Sequence, residues 1–103
     1  MSQQSLVILF FCSQKHVIDN FVNHLYLIGA KILEKENISL EILYPLLYET
    51  VRKLKNNSPG LMQTGPAVRG DQNTIIRHLK YLEQFPDFEK IYSLLTESIQ
   101  KKS

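Results

Sequence analysis

Apolar residues recur at three- and four-residue steps through most of this chain, and no segment shows the two-residue alternation of a half-buried strand. From about Lys15 to Lys35, Val17, Phe21, Leu25, Ile28 and Ile32 fall on one stripe, which predicts a long amphipathic helix. Asn20, His24 and Lys31 follow one border of that stripe, and Gly29 with Ala30 leaves room for another backbone to approach. Ser39 is placed to cap a second helix whose stripe is Leu40, Leu43, Leu47, Val51 and Leu54. Ile42, Tyr44, Leu46 and Tyr48 carry its apolar surface beyond one face, so more than one side wants cover. Pro45 removes a backbone donor and predicts a kink near Glu41 to Tyr44. Arg52, Lys53 and Lys55 suit the negative end of the helix dipole.

Asn56-Asn57-Ser58-Pro59-Gly60 ends that helix. Asp71 can cap a third, with Ile75, Leu79 and Leu82 inside and His78 at the border, and Pro86 opens a fourth with a buried stripe of Phe88, Ile91, Leu95 and Ile99. Asp87 and Glu89 favour its first turn, and Lys101 to Ser103 is expected to fray. Leu6 to Phe11 reads as a strand or as the start of the first helix. The pattern gives an all-α chain of four main helices in one domain, residues 1–103.

Between the second and third helices stands Gln63-Thr64-Gly65-Pro66-Ala67-Val68-Arg69-Gly70-Asp71, a run more specific than a connection requires. Two readings compete there. In one, Asp71 only caps the third helix and Arg69 pairs locally or reaches a helix-end carbonyl. In the other, Thr64, the bare backbone of Gly65 and the Arg69 guanidinium line an edge that binds an anion or carboxylate.

Composition narrows the field. A net charge of +2 is split between residues 1–51 at −2 and residues 52–103 at +4, which is no basic stripe for nucleic acid. The single cysteine, Cys12, has no internal disulfide partner, so a reducing cytoplasm is the expected setting. Leu6 to Cys12 is far short of the roughly 20 residues that cross a bilayer and lacks the flanks of a signal peptide. With four glycines in all, the chain has neither a dinucleotide fingerprint nor a phosphate loop. No sequence context supports a Ser or Cys nucleophile, and no histidine pair has zinc spacing. His16 reads as solvated. His24 and His78 read as half-buried imidazoles bonded between helices, or as ligand contacts, His24 sharing its contact with Asn20. The five tyrosines read as core and interface area.

Asn20-Phe21-Val22-Asn23-His24-Leu25-Tyr26, Pro45-Leu46-Leu47-Tyr48-Glu49-Thr50 and the Gln63 to Asp71 run with His78-Leu79 together resemble one family. It is the helical C-terminal domain, without assigned function, of Rossmann-like NADP-oxidoreductase-like proteins, and the resemblance covers about Val17 to Ile99. The family is similar to the C-terminal domains of pyrroline-5-carboxylate reductases and of the 3-hydroxyacid and 6-phosphogluconate dehydrogenases. The resemblance implies a 6-phosphogluconate dehydrogenase C-terminal-domain-like fold that builds a homodimer and one wall of an active-site cleft. It places Asn20, His24, Thr64, Gly65 and Arg69 on the substrate side, with NADP supplied by a nucleotide-binding domain in cis or in trans.

This chain lacks that nucleotide-binding half, and residues 1–14 depart from the family. Related dehydrogenases often set a catalytic lysine one turn ahead of an asparagine. Lys15 stands five residues before Asn20, where an α-helical turn needs three or four, so the role does not carry over. The expectation is a dimerisation and substrate-side domain that alone neither binds NADP tightly nor turns over substrate, with no nucleic acid or membrane partner. A stand-alone helical protein-interaction module is the alternative.

Overall fold

A computed structural model describes residues 14–102, and the Leu6 to Phe11 segment, Cys12 and Ser103 lie outside the described residues. No strand occurs among them. A π-helical turn, His16–Asn20, runs into α1, Phe21–Lys35; a 3-10 turn, Leu40–Leu43, leads into α2, Tyr44–Lys53. Two one-turn helices follow, α3 at Pro59–Met62 and α4 at Pro66–Arg69, and then α5, Gln72–Leu82, and α6, Pro86–Lys102. The four long helices are the four expected from periodicity. Two compact units divide the described chain inside α2, the first ending at Leu46 and the second beginning at Leu47.

In the first unit the expected continuous α-helix is interrupted by the π turn, which widens the spiral ahead of Phe21 and breaks the stripe between Val17 and the residues after it. α1 then ends on Asn37, whose φ of 58° is the left-handed conformation that asparagine tolerates. The Asn37 and Ile38 amides donate to the Glu34 and Leu33 carbonyls, each at 2.9 Å, and close the last turn. Ser39 caps as expected, its hydroxyl accepting from the Glu41 amide at 3.2 Å. Pro45 causes no break, because the 3-10 turn hands over to α2 at Tyr44 and leaves the proline in the first α turn, where its missing N–H is harmless. Ile28 is the buried residue of α1, while Phe21 remains 65% exposed. Nothing among the described residues lies within 4 Å of a Cβ built on Gly29, so the expected close approach of a backbone is not made by any of them.

In the second unit α4, α5 and α6 pack pairwise around Ala67, Ile75 and Leu82. Tyr81, Phe85 and Phe88 extend the packing where α5 turns into α6, the two phenylalanine rings stacked at 5.5 Å. The α6 stripe is less covered than expected: Phe88, Ile91 and Ile99 are half-buried and Leu95 is exposed, because α4 and α5 flank only part of it. α6 does not fray at Lys101, whose ammonium pairs with Glu97 one turn back at 2.9 Å. None of the five tyrosines is buried. No helix among the described residues is long and apolar enough to cross a membrane.

Candidate functional site

The run from Thr64 to Asp71 folds as one short helix with a defined residue at each end. Gly65 precedes α4 at φ 105° and ψ 174°, a conformation open in practice to glycine alone. Pro66 then supplies a preset helical φ at the first position, and Ala67 turns inward and is buried. Gly70 closes α4 in the left-handed conformation at φ 67°, while the Gly70 and Asp71 amides donate to the Ala67 and Pro66 carbonyls at 3.2 Å and 2.9 Å. Asp71 starts α5 at once. Its carboxylate accepts from the Thr74 amide at 3.2 Å and from the Thr74 hydroxyl at 2.7 Å.

The capping reading of Asp71 is therefore met, and Arg69 does pair locally, at 3.6 Å from Asp71 Oδ2. Structural roles account for Gly65, Pro66, Ala67, Gly70 and Asp71. They leave over Thr64, Val68 and Arg69, all exposed, of which Thr64 and Arg69 carry polar side chains that the α4 backbone does not need. This local geometry brings Thr64, Gly65 and Arg69 to one short segment of the second unit.

Asn20 and His24 belong to the first unit, one helical turn apart and both exposed. The half-buried imidazole expected at His24 is thus not found, since among the described residues no element of its own unit covers that flank of α1. The π turn does alter the argument about Lys15. Residues five apart lie across one turn of a π-helix, so the interval from Lys15 to Asn20 spans a single turn here. The Lys15 ammonium is held by Asp19 at 2.8 Å.

His16 is exposed, as expected. His78 bonds between helices, its Nδ1 lying 2.8 Å from the Tyr92 hydroxyl with the two rings edge to face, although the imidazole is exposed rather than half-buried. Partial removal from water pushes the Tyr92 phenol above its ordinary range. A shallow groove of about 180 Å³ runs past Tyr92 between α5 and α6, floored by Ile75 and Leu79. Among the described residues no three His, Cys, Asp or Glu side chains converge to hold a metal ion.

Hydrogen bonds from Thr74, first from its hydroxyl and then from its amide, hold the Asp71 carboxyl below the usual aspartate range, with Arg69 adding less. A depressed folded-state pKa means stability that is complete above the unfolded value of about 3.9 and lost as pH falls through the folded value. The α4–α5 junction is accordingly expected to loosen in acid. The Thr74 amide shift followed from pH 6 to pH 2 reads this directly, and Asp71→Asn, which still caps, should flatten that acid response.

Arg77 was not legible as a site residue. Its Nη2 donates to Thr74 Oγ1 at 3.2 Å, which places a second guanidinium beside the Asp71–Thr74 pair. The three-residue interval from Thr74 to Arg77, one turn of a helix, is the signal that could have found it.

No curated protein matches the chain. Among solved structures, a protein described as a "putative NADP oxidoreductase", BF3122 from Bacteroides fragilis, superposes with a TM-score of 0.83 at 36% identity. The match covers 91% of this chain and 36% of that one, so the chain spans about a third of its length. The family model "Domain of unknown function (DUF2520)" matches residues 14–99. With the Thr64 to Asp71 run, three of the long helices and most of the fourth inside that match, the chain belongs to the DUF2520 family.

Proposed function

We propose that this chain is the dimerisation and substrate-side helical domain of an NADP-dependent oxidoreductase, acting as one domain in the cytoplasm. The observation that carries the reading is the 36% identity, over 91% of the chain, to the protein described as a "putative NADP oxidoreductase". The chain's own chemistry is consistent with half a site. It offers an arginine, a threonine and bare glycine backbone at α4 and no glycine-rich phosphate cradle. In this reading a nucleotide-binding domain, in cis or in trans, holds NADP, whose chemistry is hydride transfer. Thr64, Gly65 and Arg69 are then the substrate-side residues of the second unit, and Asn20 and His24 those of the first.

Calorimetry with NADPH provides the test. The isolated chain is expected to give no heat of binding in the micromolar range. Grafting residues 14–99 in place of the matching helical segment of the Bacteroides fragilis protein is expected to preserve nucleotide binding and NADPH oxidation, and Arg69→Gln in that graft should raise KM. Micromolar NADPH binding by the isolated chain would overturn the division of labour. A folded graft that binds NADPH but supports no turnover would favour the other reading, a helical interaction module, for which the many exposed apolar residues of α1 and α2 also speak.

A further inference from the structure

Arg69 meets the Asp71 carboxylate directly, and Arg77 is tied to it through the Thr74 hydroxyl. Arg69 Nη2 stands 3.6 Å from Asp71 Oδ2, that oxygen accepts the Thr74 hydroxyl at 2.7 Å, and the hydroxyl accepts from Arg77 Nη2 at 3.2 Å. The two guanidinium groups are separated by no more than these three links laid end to end. Asp71 is already committed as a cap, because its other oxygen accepts the Thr74 amide. Two fixed positive charges thus face one engaged negative charge, which leaves the cluster with a net charge of +1. Both arms are open to solvent, the Arg69 side chain at 59%.

Stability does not explain the arrangement. The cap needs only Asp71 and Thr74, and an exposed ion pair contributes about 0–1 kcal/mol in general. Asp71 offsets only one of the two positive charges, so the cluster remains one negative charge short. Each guanidinium carries five N–H donors in a planar fork, and Arg77 gives one to Thr74, so both forks keep donors for oxygen ligands. A monoanion can satisfy one arm. A small dianion can satisfy both.

We propose that Arg69 and Arg77 form a two-armed site for a small dianion, a dicarboxylate or a phosphate group, gathered around the Asp71–Thr74 pair. The proposal rests on the substrate-side reading only in calling that dianion a substrate; anion binding is measured on its own, without nucleotide or turnover.

The experiment is an NMR titration of the full chain at pH 7.5 and constant ionic strength with malonate, inorganic phosphate and acetate. Saturable shifts at the Thr74 and Arg77 amides are expected for malonate or phosphate, at least tenfold tighter than for acetate. The tighter of the two dianions identifies the ligand chemistry. Arg69→Gln and Arg77→Gln should each weaken binding at least tenfold with an unchanged circular dichroism spectrum, while Lys80→Gln on the same helix should leave it unaltered. An equal response to acetate, or equal weakening by Lys80→Gln, would mean general charge screening and would overturn the site. So would a folded Arg77→Gln that binds as the parent chain does. Failure here leaves the oxidoreductase reading standing, because nucleotide binding and turnover of the graft decide that separately.

Discussion

Phe21→Glu is expected to convert the chain from a dimer to a monomer at micromolar concentration, with its helix content unchanged. Phe21 is 65% exposed, beside Val17 at 57%, Ile18 at 62% and Leu25 at 41%. Within this chain, then, the ring contributes little packing, and a carboxylate in its place would meet water. In a dimer that buries these exposed residues of α1 and the turn before it, the ring would instead be a buried aromatic anchor, whose loss costs about 2 kcal/mol or more. Twofold symmetry repeats the loss on both sides, giving about 4 kcal/mol, close to a thousandfold in the dimer dissociation constant. Sedimentation equilibrium of the parent and variant chains reads this. A parent chain that is already a folded monomer at these concentrations would remove the dimer from the proposal. A variant that unfolds would show that Phe21 supports its own unit instead.

Gly65→Ala is expected to destabilise the second unit by about 1–3 kcal/mol, the usual cost of holding a side-chain-bearing residue in so sparsely populated a backbone conformation. The cause is isolated in this position, because a Cβ added there meets nothing within 4 Å. Backbone torsion alone is at issue. Gly70→Ala, at a φ of 67° where other residues are tolerated with modest strain, should cost about 1–2 kcal/mol. Urea denaturation followed by circular dichroism ranks the two. A Gly65→Ala variant within about 0.5 kcal/mol of the parent would show that the turn relaxes into another geometry, and the rigid edge assigned to Thr64 and Arg69 would go with it.

The long helices were legible because each buries or offers an apolar stripe at a period that only a helix satisfies. Asp71 was legible too, as a cap ahead of Ile75, Leu79 and Leu82. The one-turn helix at Pro66–Arg69 has too few residues for any period, although its proline at the first position and glycine just past the last mark both ends. The π turn left no trace in the sequence, since the residues from His16 to Asn20 would fit an α-helix equally well and only hydrogen-bond register differs. Exposure was the least legible property. The stripe of α1 was read correctly as apolar, but a sequence pattern does not say whether its cover comes from the same chain. At the site, Arg69 was found through its neighbours in the motif. Arg77 was missed because it is tied to that motif only through the Thr74 hydroxyl.

Asp71 ends one helix with its amide and begins the next with its carboxylate, so the two helices share a residue and have no linker between them. A segment built in this way can vary in side chains but not in length. Inserting one residue after Gly70 would detach the terminator from the initiator and turn α5 out of phase with α4. Among the residues from Thr64 to Asp71, the positions that can change without disturbing this junction are Thr64, Val68 and Arg69. If the same length and glycines persist in a relative while Arg69 does not, the fold has been kept and one arm of the proposed anion site has been lost.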